Sequence, residues 1–169
     1  MKLVRESLNE FDKGVDPLNT LGIGKIEAIR MFFDDLNIPA WKFNITKEQI
    51  RFKTDLVLEN HTELTGFPEL SNMVVEGGLY LKNCSSLISL PDNLIIQENL
   101  SLKNCTSLTT LPENLKVGAH LYLANCLKLT ELPDSLQVNY KIWISENQYQ
   151  LRKWIISKQK FKGQVFLDT

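Results

Sequence analysis

The sequence predicts an α+β solenoid, and three observations predict it. A 21-residue unit is written three times in succession: LYLKNCSSLISLPDNLIIQEN from Leu79, LSLKNCTSLTTLPENLKVGAH from Leu100 and LYLANCLKLTELPDSLQVNYK from Leu121. A fourth copy begins at Ile142-Trp143-Ile144-Ser145 and breaks off, and a looser copy precedes at a 23-residue offset, with Leu56, Leu58, Leu64, Phe67 and Pro68. A fixed period in this range, with the pattern LxLxxCxxLxxLPxxL, is the mark of stacked coils. The flanks do not repeat, and they carry helix and hairpin patterning instead. The expected organisation is an N-terminal cap over 1–55 (helices plus a hairpin), repeats over 56–145 and a small helix-strand C-terminal cap over 146–169.

The chain has 169 residues, 43% of them hydrophobic, and a net charge of −1. That supports one sizeable core and is short for two independent domains. Near-neutral charge gives no global argument for nucleic acid or a membrane surface. No apolar run approaches the length that spans a bilayer. The N-terminus, MKLVRESLNE, is charged and lacks the apolar stretch of a secretory signal, so a cytoplasmic protein is expected.

From the N-terminus, Leu3, Val4, Leu8 and Phe11 lie roughly on one helical face, and Lys13 to Pro17 reads as a turn. Leu21-Gly22-Ile23-Gly24-Lys25 lacks the spacing of a phosphate loop and the strand that should precede one, so its glycines are read as a turn into a helix. That helix is expected from Lys25 to Leu36, with Ile26, Ile29, Phe33 and Leu36 on one face and Asn37 and Pro39 as its stop. Trp41, Phe43 and Ile45, then Ile50 and Phe52, alternate as two strands around a Thr46–Gln49 turn.

Within each coil, the two leucines of LxL point to one side of a strand and the middle residue to the other. Leu79/Leu81, Leu100/Leu102, Leu121/Leu123 and Ile142/Ile144 are therefore core candidates, as are Leu87, Leu108 and Leu129 and the leucines flanking Pro91, Pro112 and Pro133. One coil cannot bury them; its neighbours must. The strands of successive coils should pair in parallel on the concave face. Too few residues follow each proline for a helix, so extended or 3-10 segments are expected on the convex side.

Cys84, Cys105 and Cys126 recur at the repeat period, with His61 before them in register and Asn147 after. A metal site or a disulfide is the sharper reading. The other is a ladder of buried thiols acting as small hydrophobes with weak donors, and the collinear arrangement and a reducing cytosol favour it. The acids after the prolines (Asp92, Glu113 and Asp134, with Glu69 in the first copy) are a linear row. Calcium needs ligands around a sphere, so these carboxylates are read as caps of a tight turn. No metal or other cofactor is expected.

The outward strand positions are where function is expected. The middle residues of LxL are Val57, Tyr80, Ser101, Tyr122 and Trp143; Lys82 and Lys103 sit two places on, and His120 and Lys141 just before the motif. Stacked, they form columns of aromatics beside lysines. Tyr and Trp also simply favour strands, but a solvated face does not need them, and such anchors are common at interfaces. The expected binding set is Tyr80, Lys82, Ser101, Lys103, His120, Tyr122, Lys141 and Trp143.

After the repeats, Leu151, Trp154 and Ile155 sit at helical spacing within 146–158, and Val165-Phe166-Leu167 reads as a closing strand. The same tail holds Arg152, Lys153, Lys158, Lys160 and Lys162 with interleaved aromatics. That pattern fits nucleic acid, or more simply the solvated side of a cap.

The repeats over 56–145 resemble leucine-rich repeats, most of all the short LPxxL kind of bacteria and phages, and the resemblance implies protein binding. They depart from it in lacking the leucine three residues before LxL; Val75, Ile96, Val117 and Val138 stand one place earlier. Residues 1–60 resemble the N-termini of uncharacterised repeat proteins of large tailed phages. MKLVRESLNE resembles a capsid-targeting peptide cut after Leu8-Asn9-Glu10, which makes Glu10 the implied processing site and host cytoplasm or virion the implied location. An ordinary N-terminal helix is the alternative.

An enzyme is not expected. The two histidines, His61 and His120, fall on different faces by register, and no nucleophile–base or paired-carboxylate arrangement assembles from the repeat geometry. The expectation is a non-enzymatic module that binds a protein partner through its strand face, without small-molecule substrate or membrane. A packaged virion protein touching nucleic acid through its basic tail is the alternative.

Overall fold

The structure, a computed structural model, describes residues 24–46, 49–68, 72–161 and 163–168. The expected helix over 2–11, the 13–17 turn, Glu10, Glu69 and Lys162 lie outside these residues.

Helix α1 (Lys25–Asp35) comes first. Its end is written in the backbone: Asn37 takes φ 57, its N–H donates to the Asp34 carbonyl, and the Ile38 N–H donates to the Phe33 carbonyl. This pair of bonds is a Schellman stop, and asparagine tolerates the left-handed turn it needs. Ile29, Phe33 and Leu36 are buried as expected, whereas Ile26, one turn earlier, is 37% exposed. Phe33 is fully buried, with the Phe32, Phe43 and Phe52 rings 5.1–5.3 Å away. A 3-10 turn (Ala40–Lys42) leads into β1 (Phe43–Ile45) and β2 (Ile50–Phe52). These two pair antiparallel, and Thr46 and Gln49 are hydrogen-bonded across the turn.

The rest is a parallel β-solenoid of about five turns, with two strands in most turns. The LxL strands are β3 (Leu56–Val57), β5 (Leu79–Tyr80), β7 (Leu100–Ser101), β9 (Leu121–Tyr122) and β11 (Ile142–Ile144). The return strands are β4 (Met73–Val75), β6 (Ile95–Ile96), β8 (Lys116–Val117) and β10 (Gln137–Val138). Helix α2 (Tyr149–Lys158) and β12 (Val165–Leu167) follow. One sheet runs β1-β2-β4-β6-β8-β10 and the other β12-β11-β9-β7-β5-β3. Every pairing is parallel except β1 with β2.

Of the two paths expected on the return side, extended or 3-10, the structure takes the extended one and adds a pairing between coils. Val75, Ile96, Val117 and Val138 point inward from extended backbone, and the extension pairs coil to coil as a second sheet. The residues that replace the usual leucine are the cause: a β-branched residue one place earlier favours a strand. The leucine sets between the sheets are buried throughout, from Leu56 to Ile144. Leu151, Ile155 and Phe161 extend that core at the C-terminal end. Helix α2 begins at Tyr149, three residues later than the pattern began, because Gln148 is engaged in the turn before it. Among the described residues no helix is long and apolar enough to cross a membrane.

Candidate functional site

The sheet of LxL strands carries the candidate site, and strand register builds it. Val57, Tyr80, Ser101, Tyr122, Trp143 and Phe166 are successive Cα partners across β3, β5, β7, β9, β11 and β12. In-register strands lie about 4.8 Å apart, so these side chains form one column. The Tyr122 and Trp143 rings lie parallel, 6° apart in plane, with centroids 6.3 Å apart. Trp143 and Phe166 follow at 5.5 Å. Ser101 departs from the expected exposed binding position: it is 8% exposed. It is small and flanked by Tyr80 and Tyr122 on the adjoining strands, which overtop it.

Lysines lie on the rings. Lys103 Nζ is 5.3 Å from the Tyr122 centroid, and Lys141 Nζ is 5.5 Å from Trp143 and 4.3 Å from Phe166. Lys103 also reaches along the solenoid to Asp168, with N–O distances of 2.8 and 2.9 Å. It does so past Ala124 and Ser145, both buried. His120 is fixed from both sides: its N–H donates to Asn99 Oδ1 at 3.1 Å, and its Nδ1 accepts from the Lys141 N–H at 3.3 Å. The proton of the neutral ring therefore sits on Nε2. The ring lies 6.0 Å from Tyr122 and 5.5 Å from Tyr140. Lys82 is exposed. The Trp143 Nε1–H is buried without a hydrogen-bond partner, a cost of about 1–3 kcal/mol.

Two ladders frame this face. The three cysteines are buried and free, and each thiol donates to a carbonyl of the preceding coil: Cys84 to Leu58 at 3.0 Å, Cys105 to Leu81 at 3.1 Å, Cys126 to Leu102 at 3.0 Å. Burial pushes the Cys84 thiol up to about 11, despite a backbone hydrogen bond at His61, and Cys105 to about 12. Cys126 is raised by the same cause. His61 sits by the first thiol, but Asn147, expected next in register, is exposed. The buried Gln148 takes that place: its Nε2 donates to the Cys126 carbonyl and its Oε1 accepts from the Ser145 N–H. The longer side chain reaches back from one position further on.

The second ladder was not singled out from the sequence. Asn60, Asn83, Asn104 and Asn125 all take left-handed backbone, φ 62–65. Each amide donates to the one before: Asn83 to Asn60 at 2.7 Å, Asn104 to Asn83 at 2.7 Å, Asn125 to Asn104 at 2.9 Å. The signal is an Asn before each Cys at the repeat period. Phe166 and Asp168 were also missed as members of the face, because no period ties the closing strand to the repeats.

The row of acids stands in tight turns between the coils. Asp92, Glu113 and Asp134 are exposed, Asn93 and Asn114 beside them take left-handed backbone, and Glu113 accepts from the Ser135 hydroxyl of the next coil. A cleft of about 240 Å³ opens between Glu113, Glu131, Asp134 and the α2 residues Trp154 and Lys158. Among the described residues no group of His, Cys, Asp or Glu is arranged to hold a metal ion.

Lys153 and Lys158 are exposed, with Lys158 over Trp154 at 5.6 Å, while Arg152 is half-buried. Lys160 lies over Phe161 and donates to the Asp134 carbonyl. No family model, curated protein or solved structure matches the chain.

Proposed function

We propose that this chain is a non-enzymatic interaction module of the leucine-rich-repeat kind, which binds a protein partner through the outer face of its LxL sheet. The observation that carries the proposal is the continuous row Tyr122, Trp143 and Phe166, half-buried and extended towards Tyr80, with Lys141 and Lys103 laid on the rings. Rigid aromatics backed by a sheet lose little conformational freedom on binding, and such side chains dominate interface energetics. The leucine-rich-repeat assignment belongs to the same proposal. The LPxxL leucines keep their inward places in each coil, and the second parallel sheet is where this chain departs from that pattern.

The test is replacement of Tyr80, Tyr122 and Trp143 together by Ser. Affinity purification from native or infected cells should recover a partner with the parent chain and not with the variant, while far-UV circular dichroism is unchanged. Equal recovery by a folded variant refutes the assignment of the face.

A further inference from the structure

Resting on that reading of the face, we infer that its partner is an acidic, extended segment of protein, held by Lys82 and Lys141 on either side of the aromatic row. Between β5 and β11 the three outward columns contain Lys82, Lys103, His120 and Lys141 and no carboxylate. Acids flank that zone. Glu59 lies at its N-terminal end, Glu98 at the corner outside the columns, and Asp168 at its C-terminal end, where it neutralises Lys103. Among the described residues neither Lys82 nor Lys141 has a carboxylate partner. A chain with a net charge of −1 thus places two unpaired cations on this aromatic face.

The hydrogen-bonding balance points the same way. The strip offers two ammonium groups, the His120 Nε2–H and the tyrosine hydroxyls, and few acceptors. A partner rich in acceptors fits it, and carboxylates bind ammonium groups through short charge-assisted bonds.

Nucleic acid would supply anions too, but single strands bind mainly by stacking bases on open aromatic faces. Here Lys103 lies over Tyr122 and Lys141 over Trp143 and Phe166, so the ring faces are already taken. A base would have to displace the lysines, whereas a carboxylate meets them where they stand.

The geometry also sets a spacing. From Lys82 to Lys141 is three strand steps along the solenoid axis, about 14 Å, and four residues along the strand direction, about 13 Å. The diagonal is roughly 19 Å, which extended chain covers in about six residues. The segment should therefore carry acids about six residues apart.

The experiment is fluorescence anisotropy with a labelled dodecapeptide carrying two Glu-Glu pairs six residues apart. The same peptide with Gln for every Glu, and a twelve-nucleotide thymidine strand, are the comparisons. The Glu peptide should bind the full chain in 50 mM salt and weaken several-fold by 200 mM. K82E and K141E should each weaken it at least ten-fold, and K153E on α2 should leave it unchanged. Absence of binding, equal binding of the Gln peptide, indifference to K141E, or tighter binding of the thymidine strand each overturns the inference. Loss of the natural partner in the Tyr80/Tyr122/Trp143 variant, together with a Glu peptide that does not bind, would leave the face assigned and remove its acidic ligand.

Discussion

The buried thiols make stability fall in alkali, and the structure sets both the sign and the window. Cys84 is raised from an ordinary 9.0 to about 11 and Cys105 to about 12, chiefly because burial penalises the thiolate. Below pH 9 both thiols are protonated folded and unfolded, so they contribute no pH dependence. Above it the unfolded chain releases protons that the folded chain keeps. Unfolding then becomes easier by up to about 1.4 kcal/mol per pH unit for each thiol. By the folded values the accumulated loss is about 3 kcal/mol for Cys84 and about 4 kcal/mol for Cys105. Alkali acts on the chain as a whole, so the measurement is a difference. Urea unfolding of the parent and of a variant with all three cysteines replaced by Ala is followed from pH 7 to 10.5. The variant starts weaker because of its cavities, a deficit that does not depend on pH. Its stability should then fall less steeply above pH 9, so the two curves converge. Curves that stay parallel from pH 8 to 10.5 would refute the account of the thiols as buried and protonated.

Other perturbations test other links. Asn104→Asp keeps a side chain that tolerates left-handed backbone but turns the donor facing Asn83 into a carboxylate oxygen; it should cost about 1–2 kcal/mol in urea unfolding at neutral pH. Gly118→Ala places a Cβ 2.0 Å from the Gln97 carbonyl oxygen and forces two coils apart; a loss of about 1–3 kcal/mol in thermal or urea unfolding is expected. Asp168→Asn removes the partner of Lys103, but the pair is about 30% exposed; the loss should stay below about 1 kcal/mol in the same assay and shrink further in high salt.

The coil-to-coil stacking was legible because its cause is local and repeated. LxL fixes which side chains point inward, and the constant offset fixes which strands meet. The second sheet was harder to see. Its strands are two or three residues long, and with one outward residue each, such as Ile95, Lys116 and Gln137, they show no alternation to read. Only the pairing of Ile96 with Val117 and of Val117 with Val138 reveals them. Strand register lines up the outward positions in columns, but exposure does not follow from register. Ser101 disappears beneath larger neighbours, and neighbour size along the axis is a property of other coils. Lys103 reaching Asp168 across two intervening strands lies beyond any short-range pattern.

The separation of inward and outward positions also explains how such a chain can carry specificity at little risk to its fold. The first coil is two residues longer than the others, yet Val57 still stands opposite Tyr80, and the Cys84 thiol still meets the Leu58 carbonyl. The extra length falls between Pro68 and Met73, ahead of a return strand, so it changes no strand position in the LxL sheet. The leucines, thiols and asparagines hold the stack from within and along one corner. The residue between two leucines of LxL contributes little to that hold, and it changes from Val to Tyr, Ser, Tyr and Trp along the chain. Each added coil lengthens the outward column by about 4.8 Å without altering the inward set. A row of aromatics can therefore be composed residue by residue on a support that does not register the change.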